Sequence, residues 1–160
     1  MPQGFFANKA LKEIPANYKE AAAYLQTIPK DSRALVLPAI YITDTYNWDN
    51  ERVAMKGSLF DVLVDIPTYR LSPKLVGDRE MQIEMGGVFI PDETRVRGLQ
   101  IDYAALTKFS TQYDLSYVII TKDLVGGQDY QTLEEIYSWL KASNYEKLAE
   151  FTTVEIYRRN

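Results

Sequence analysis

Two short apolar runs place the strongest constraint on how this 160-residue chain can fold. The first, Ala34–Leu37, lies between a polar turn at residues 30–33 and Pro38, and the second, Ser116–Thr121, ends where a polar and glycine-containing loop begins. A short unbroken apolar run bounded by breakers is typical of a strand that is buried on both faces, as in a parallel sheet. We therefore expect the two runs to be neighbouring strands that point the same way.

Helical patterns flank both runs. One helix is expected between Pro15 and Pro29, a second after the capping residue Asp102, and a third after Thr132, which has capping-box spacing with Glu135. The expected inward-facing residues of the three helices are Tyr18, Ala21, Ala22, Leu25 and Ile28, then Leu106, Phe109 and Tyr113, and last Leu133, Ile136, Tyr137 and Leu140.

The C-terminal segments 147–151 and 154–158 predict an antiparallel hairpin, with Val154 and Ile156 on one face. Helix, strand, helix, strand, helix and hairpin is an α/β order. The predicted fold is a small layered sheet of four to six strands, with parallel central strands, flanking helices and an antiparallel C-terminal hairpin. We expect residues 1–160 to form this single α/β domain.

The middle of the chain carries weaker patterns. Residues 59–66 fit either a strand or a short helix, residues 81–85 alternate as a strand does, and residues 67–91 are otherwise expected to form long loops. Asp61 and Asp65 would share one face of a strand, and a solvated face explains them better than a catalytic pair.

Composition limits the chemistry that is available. The chain has no cysteine and no histidine, so it lacks thiolate nucleophiles and the commonest general base. Its net charge is −4 and its basic residues are scattered, which argues against a nucleic-acid partner. We find no spacing typical of a metal or cofactor site, no apolar run long enough to span a membrane, and no leader, and we expect no cofactor, no metal and no catalytic residue.

Two loops are expected to meet at one edge of the sheet. Ligands of open α/β sheets bind beyond the carboxyl ends of parallel strands. The stretch of residues 41–52, YITDTYNWDNER, follows the first strand, and residues 122–127, KDLVGG, follow the second. The candidate ligand-binding residues are Asp44, Tyr46, Trp48, Asp49, Arg52, Lys122 and Asp123.

These residue types suit a sugar, because aromatic faces stack on a sugar ring while carboxylates and amides bond its hydroxyl groups. In the alternative interpretation, Tyr46 and Trp48 cover the core and Asp49 or Asn50 caps a turn. The pair Gly126–Gly127 could bind phosphate through backbone N–H groups, but it has no phosphate-loop spacing and fits a simple turn better.

The order of these segments resembles a known arrangement. The resemblance is carried by the helix of residues 17–28, the phrase IPKDSRALVLP at residues 28–38, the tyrosine and tryptophan loop, the phrase LSYVIIT at residues 115–121, and the ending FTTVEIYR at residues 151–158. It is similar to the extracytoplasmic C-terminal region of multi-spanning membrane glycosyltransferases of the GT-C type. No catalytic residue of that family maps onto this sequence.

The resemblance implies a domain from a longer membrane protein, located outside the cytoplasmic membrane and next to the membrane-embedded part of its parent. Its implied function is a non-catalytic contribution to binding a glycan or a lipid-linked sugar. Two alternatives remain: a free-standing glycan hydrolase or transferase that uses Asp44, Asp49, Asp123 and Lys122, and a protein-interaction domain that uses surface tyrosines.

Overall fold

The computed structural model describes residues 14–41, 44–49, 51–55, 59–73 and 87–160. Its helices are α1 (Ala16–Leu25), the short α2 (Leu59–Leu63), α3 (Tyr103–Gln112) and α4 (Leu133–Ala142). Its strands are β1 (Ala34–Leu37), β2 (Asp44–Trp48), β3 (Glu51–Met55), β4 (Thr68–Arg70), β5 (Phe89–Pro91), β6 (Leu99–Ile101), β7 (Tyr117–Thr121), β8 (Tyr145–Phe151) and β9 (Val154–Arg159).

Five strands form the central sheet in the order β4-β1-β7-β9-β8. Strand β1 pairs in parallel with β4 and with β7, and Val36 lies opposite Ile119. The last two strands form an antiparallel hairpin, and β9 also pairs antiparallel with β7. The α/β fold with parallel central strands and an antiparallel C-terminal hairpin is confirmed.

Helices cover both faces of the sheet, and this explains the unbroken apolar runs. Val36 and Ile119 belong to one core with α1, whereas Leu35, Val118 and Ile120 belong to a second core with α3 and α4. Successive residues of a strand point to opposite faces, so a strand inside three layers needs an apolar residue at every position. All residues of β1 and β7 are buried.

The predicted helix caps are present. The side chain of Asp102 accepts hydrogen bonds from the backbone N–H groups of Ala104 and Ala105, at 3.1 and 3.3 Å. The hydroxyl of Thr132 accepts one from the N–H of Glu135, at 3.1 Å. The carboxylate of Glu135 binds a tertiary partner, the guanidinium of Arg95, at 2.5 Å.

Three expectations for the middle of the chain are corrected or settled. Residues 41–52 are not an open loop, because their described part forms the antiparallel pair β2–β3. Residues 59–63 are helical, and Asp65 lies beyond that helix and pairs with Lys30, so Asp61 and Asp65 do not share a strand face. The segment 67–91, expected to be loops apart from residues 81–85, contains β4, which pairs with β1 at the sheet edge. The predicted strand at residues 81–85 lies outside the described residues.

Candidate functional site

The two predicted loops do meet at the carboxyl edge of β1 and β7. The hairpin β2–β3 lies against the segment that follows β7 through two backbone hydrogen bonds, which together form the bridge between Tyr46 and Leu124. The N–H of Asn47 donates to the carbonyl of Asp123 at 3.0 Å, and the N–H of Val125 donates to that of Thr45 at 2.7 Å. The sheet edge therefore carries a fixed hairpin in place of a free loop.

Local sequence accounts for the tight turn of this hairpin. The last paired residues are Trp48 and Glu51, and Asp49 follows Trp48 directly. Asp49 has φ of 50°, a left-handed conformation that aspartate and asparagine adopt more readily than most residues. The turn leaves the side chain of Asp49 exposed.

The carboxylate of Asp123 joins three parts of the fold. It accepts hydrogen bonds from the indole Nε1 of Trp48 at 3.1 Å, from the hydroxyl of Thr153 at 3.2 Å, and from the hydroxyl of Tyr18. Burial, together with the negative charge of Asp123, raises the pKa of Tyr18 well above its ordinary value. Tyr18 therefore stays protonated and donates to Asp123 throughout the neutral range.

Asp44 makes a buried ion pair. Its carboxylate lies 2.6 Å from the guanidinium of Arg70 on the edge strand β4, and the two side chains are 2% and 7% exposed. The hydroxyl of Tyr46 donates to the other carboxylate oxygen at 3.0 Å, and burial followed by the charge of Asp44 raises the pKa of Tyr46. This ion pair ties the hairpin β2–β3 to β4, the edge strand of the parallel part of the sheet.

The rings of Tyr46 and Trp48 pack against other rings. Their centroids are 4.9 Å apart in a stacked arrangement, and Tyr18 contacts both edge-on at 5.5 and 5.4 Å. Tyr46 is 0% exposed and Trp48 is 6% exposed. Their contacts are those expected if the two rings cover the core.

The remaining candidate residues are more accessible. Asp49 and Arg52 are exposed at and beside the hairpin turn. Lys122 is partly exposed, and its Nζ lies 3.3 Å from Glu155 and 3.5 Å from Glu150, on the side of the C-terminal hairpin. In the described part of the chain, no hydrogen bond or ion pair links Asp49 or Arg52 to Lys122 or Asp123.

A cleft of about 330 Å³ opens beside this hairpin, and we call it the edge cleft. It lies between Pro38 after β1, Thr121 and Lys122 at the end of β7, and Leu133 at the start of α4. Gln128 and Asp129 add polar groups to its lining. Its volume lies in the range of small-molecule sites, and its position is the one expected for a ligand of a parallel sheet.

The glycine pair forms a turn at one wall of the edge cleft. Gly126 has φ of 73°, and the N–H of Gly127 donates to the carbonyl of Leu124 at 3.2 Å. A Cβ at Gly127 would lie 2.8 Å from Cγ of Pro38, so the close approach requires glycine.

Sequence reasoning missed several residues of this region. Tyr18 was assigned to the core, yet a buried tyrosine hydroxyl requires a partner, and that requirement was an available signal. Arg70 carried no signal because β4 was not predicted. Among the described residues, no group of three or more His, Cys, Asp or Glu side chains is placed to hold a metal ion, and none of the described helices is long and apolar enough to cross a membrane.

Comparisons with known proteins give a match of fold only. Protein-family models and curated proteins give no match. The cryo-EM structure of the arabinofuranosyltransferase AftD from Mycobacteria matches with a TM-score of 0.65 and 15% identity, over 91% of this chain and 12% of that chain. Two structures of an arginine-to-serine mutant of AftD match with TM-scores of 0.64 and 0.63, at 16% and 15% identity, over 91% of this chain and 13% of theirs.

The chain thus spans 12% of the length of AftD. This likeness agrees with the resemblance to glycosyltransferases drawn from the sequence. The chain has the fold of one portion of a large glycosyltransferase.

Proposed function

We propose that this chain is a non-catalytic accessory domain of a larger membrane glycosyltransferase-like protein, located outside the cytoplasmic membrane, and that it contributes to binding a glycan or a lipid-linked sugar. The observation that carries the proposal is the shared fold with a portion of AftD across 91% of the chain. Because AftD is named for arabinofuranosyl transfer, arabinofuranosides are the first sugars to test.

The edge cleft and the exposed hairpin turn are the proposed contact surface. Lys122 lines the cleft, and Asp49 and Arg52 present an exposed carboxylate and guanidinium on the hairpin that pairs with the segment after β7. Charged and amide groups of this kind bond sugar hydroxyls at the rim of a partly apolar pocket. Asp44, Tyr46, Trp48 and Asp123 support the surface by holding the hairpin in place.

The contacts of the carboxylates favour this role over catalysis. A general acid or base needs a carboxylate within reach of substrate. Asp44 is paired with buried Arg70, and Asp123 accepts three side-chain hydrogen bonds from the protein. Of the four residues in the enzymatic alternative, these two and Lys122, which pairs with Glu155 and Glu150, already have protein partners.

The tyrosines give little support to an interaction domain built on surface rings. All twelve tyrosines lie in the described residues, and each is buried or half-buried. Their rings stabilise the two cores, as those of Tyr18 and Tyr46 do.

Titration of an arabinofuranosyl oligosaccharide into the chain, followed by calorimetry, tests the proposal. We expect Arg52→Gln combined with Asp49→Asn to weaken binding by about tenfold, since two exposed polar contacts are lost or weakened. Lys30→Gln, on an exposed lysine paired with Asp65, is the matched control and should bind as the parent does. Absence of binding by the parent chain, or equal binding by the double variant, would refute the proposed surface.

A further inference from the structure

A larger cleft lies between α3 and α4, on the face of the sheet opposite to α1. Its volume is about 800 Å³, and we call it the α3–α4 cleft. Ala104 and Ala142 line it with small exposed side chains, which leave the space between the two helices open. No residue predicted from the sequence to bind a ligand lies in it.

Aromatic side chains form its floor and are held in fixed positions. Trp139 is 5% exposed, and its ring centroid lies 6.4 Å from that of Tyr103. The indole Nε1 of Trp139 donates to the hydroxyl of Thr107 at 2.9 Å, and that hydroxyl donates to the carbonyl of Tyr103 at 2.9 Å. Trp139 is almost fully buried and supports the half-buried ring of Tyr103, and that ring provides apolar surface at little entropic cost.

The rim carries a preorganised carboxylate. The carboxylate of Glu135 accepts hydrogen bonds from the guanidinium of Arg95 at 2.5 Å and from the hydroxyl of Tyr103 at 3.4 Å. Burial, and then the charge of Glu135, raises the pKa of Tyr103 well above its ordinary value, so the phenol remains a donor. Second contacts of this kind hold a binding carboxylate in one orientation.

The remaining polar groups of the cleft favour a neutral, hydroxyl-rich ligand. Glu134 and the hydroxyl of Ser138 also line it, and no lysine or arginine is among its lining residues. Carboxylates accept hydrogen bonds from sugar hydroxyls, and although Arg95 offsets the charge of Glu135, the charge of the exposed Glu134 disfavours an anionic sugar.

The cleft also adjoins the edge cleft. Thr132 lines the α3–α4 cleft and the next residue, Leu133, lines the edge cleft, so both open at the start of α4.

We infer that the α3–α4 cleft is a second saccharide site, which stacks a neutral sugar unit over Tyr103, with Trp139 packed beside it, and bonds the sugar hydroxyls through Glu135, Glu134 and Ser138. The choice of a sugar as ligand rests on the proposed function, whereas the site itself is separate from the edge cleft.

The two tryptophans of the chain allow the two sites to be tested independently. The indole N–H of Trp48 is bonded to Asp123 beside the edge cleft, and that of Trp139 is bonded to Thr107 in the α3–α4 cleft. In ¹H–¹⁵N spectra of the labelled chain, each indole gives its own signal. Methyl α-arabinofuranoside, and as an anionic probe methyl glucuronide, are titrated into the sample.

We expect the Trp139 indole signal to shift and saturate with the neutral furanoside, and binding of the glucuronide to be at least about tenfold weaker. Ala104→Leu fills the cleft from an exposed helical position and should reduce the furanoside affinity by about tenfold or more. Ala23→Leu, at an exposed position of α1, is the matched control and should leave the titration unchanged.

A shift confined to Trp48 would overturn this inference while supporting the proposed function at the edge cleft. Tighter binding of the glucuronide, equal affinity in Ala104→Leu, or no shift of Trp139 would also overturn it. A Trp139 shift without any change at Trp48 would support the second site and count against the first.

Discussion

At the residue scale, Asp123 is the residue on which the geometry of the edge depends most. Its three side-chain donors come from α1, from β2 and from the turn between β8 and β9. These elements are distant in sequence, so one carboxylate fixes their relative positions. Its position directly after a buried parallel strand was predictable, but its donors were not, because they depend on tertiary packing.

Asp123→Ala is expected to lower the free energy of unfolding by about 3 kcal/mol, because the buried donors on Tyr18 and Trp48 lose their acceptor. Urea unfolding monitored by tryptophan fluorescence measures the change. Asp49→Asn, an exposed change in a conformation that asparagine tolerates, should stay within about 0.5 kcal/mol of the parent. Equal effects of the two substitutions would contradict the role assigned to Asp123.

The Asp44–Arg70 pair gives a second residue-scale prediction. Arg70→Met leaves a buried carboxylate without its guanidinium, and should cost about 3–5 kcal/mol of unfolding free energy. Adding Asp44→Leu removes the stranded charge and should recover more than half of that loss. Failure of the double variant to recover stability in urea unfolding would show that the pair is not coupled in this way.

At the scale of elements, the strands and helices with strong periodicity were predicted correctly, whereas β4 and the hairpin β2–β3 were not. The residues of β1 and β7 are buried on both faces, so composition alone reveals them. By contrast, β4 is a three-residue edge strand after Pro67, too short to show an alternating pattern. The hairpin β2–β3 was predicted as a loop because its polar residues suit a surface segment, and its partners lie after β7.

The candidate site was also predicted only in part. The parallel pairing of β1 and β7 placed the two loops at one edge, and the structure confirms that they meet. Burial of Tyr46 and Trp48 was one of two interpretations of the sequence, which could not decide between them because the ring of Tyr18 that packs on both comes from α1. Trp139 was overlooked because the inward stripe assigned to α4 did not include it.

The C-terminal hairpin contains an ionic network around Glu155. Its carboxylate lies 3.3 Å from Nζ of both Lys122 and Lys147, and the hydroxyl of Tyr157 donates to it at 3.1 Å. Burial opposes ionisation, but hydrogen bonds from Tyr137 and Lys122 and the lysine charges lower the pKa of Glu155 overall.

A lowered pKa in the folded state means that Glu155 adds stability above its unfolded pKa of about 4.3, and that this stability is lost as pH falls through the folded pKa. Glu155→Gln should therefore cost about 2 kcal/mol at pH 7 and show a smaller loss of stability below pH 4 or so. Unfolding curves in urea from neutral to acidic pH test this. An unchanged acid slope would contradict it.

At the scale of the whole molecule, the buried tyrosines should govern alkaline unfolding. Burial is the first cause that raises the pKa of Tyr18, Tyr46, Tyr103 and Tyr157, and it raises that of Tyr137 to about 12. An unfolded tyrosine ionises near pH 10, so the folded state keeps its full stability below about pH 10 and loses it as pH rises further.

We expect tyrosinate absorbance and loss of structure to rise together above about pH 10. Tyr18→Phe should make the fall of stability with pH shallower, because one raised pKa is removed. A tyrosinate signal that develops fully while the fold remains intact would contradict this account of the tyrosines.

The account as a whole depends on the chain binding a glycan without transforming it. Saturation-transfer NMR between the chain and an arabinofuranosyl oligosaccharide, with the same sample analysed for products after prolonged incubation, is the most direct measurement. We predict transfer to the sugar protons and complete recovery of the unchanged oligosaccharide. Product formation that disappears in Asp49→Asn, or the absence of any transfer, would contradict the proposed function.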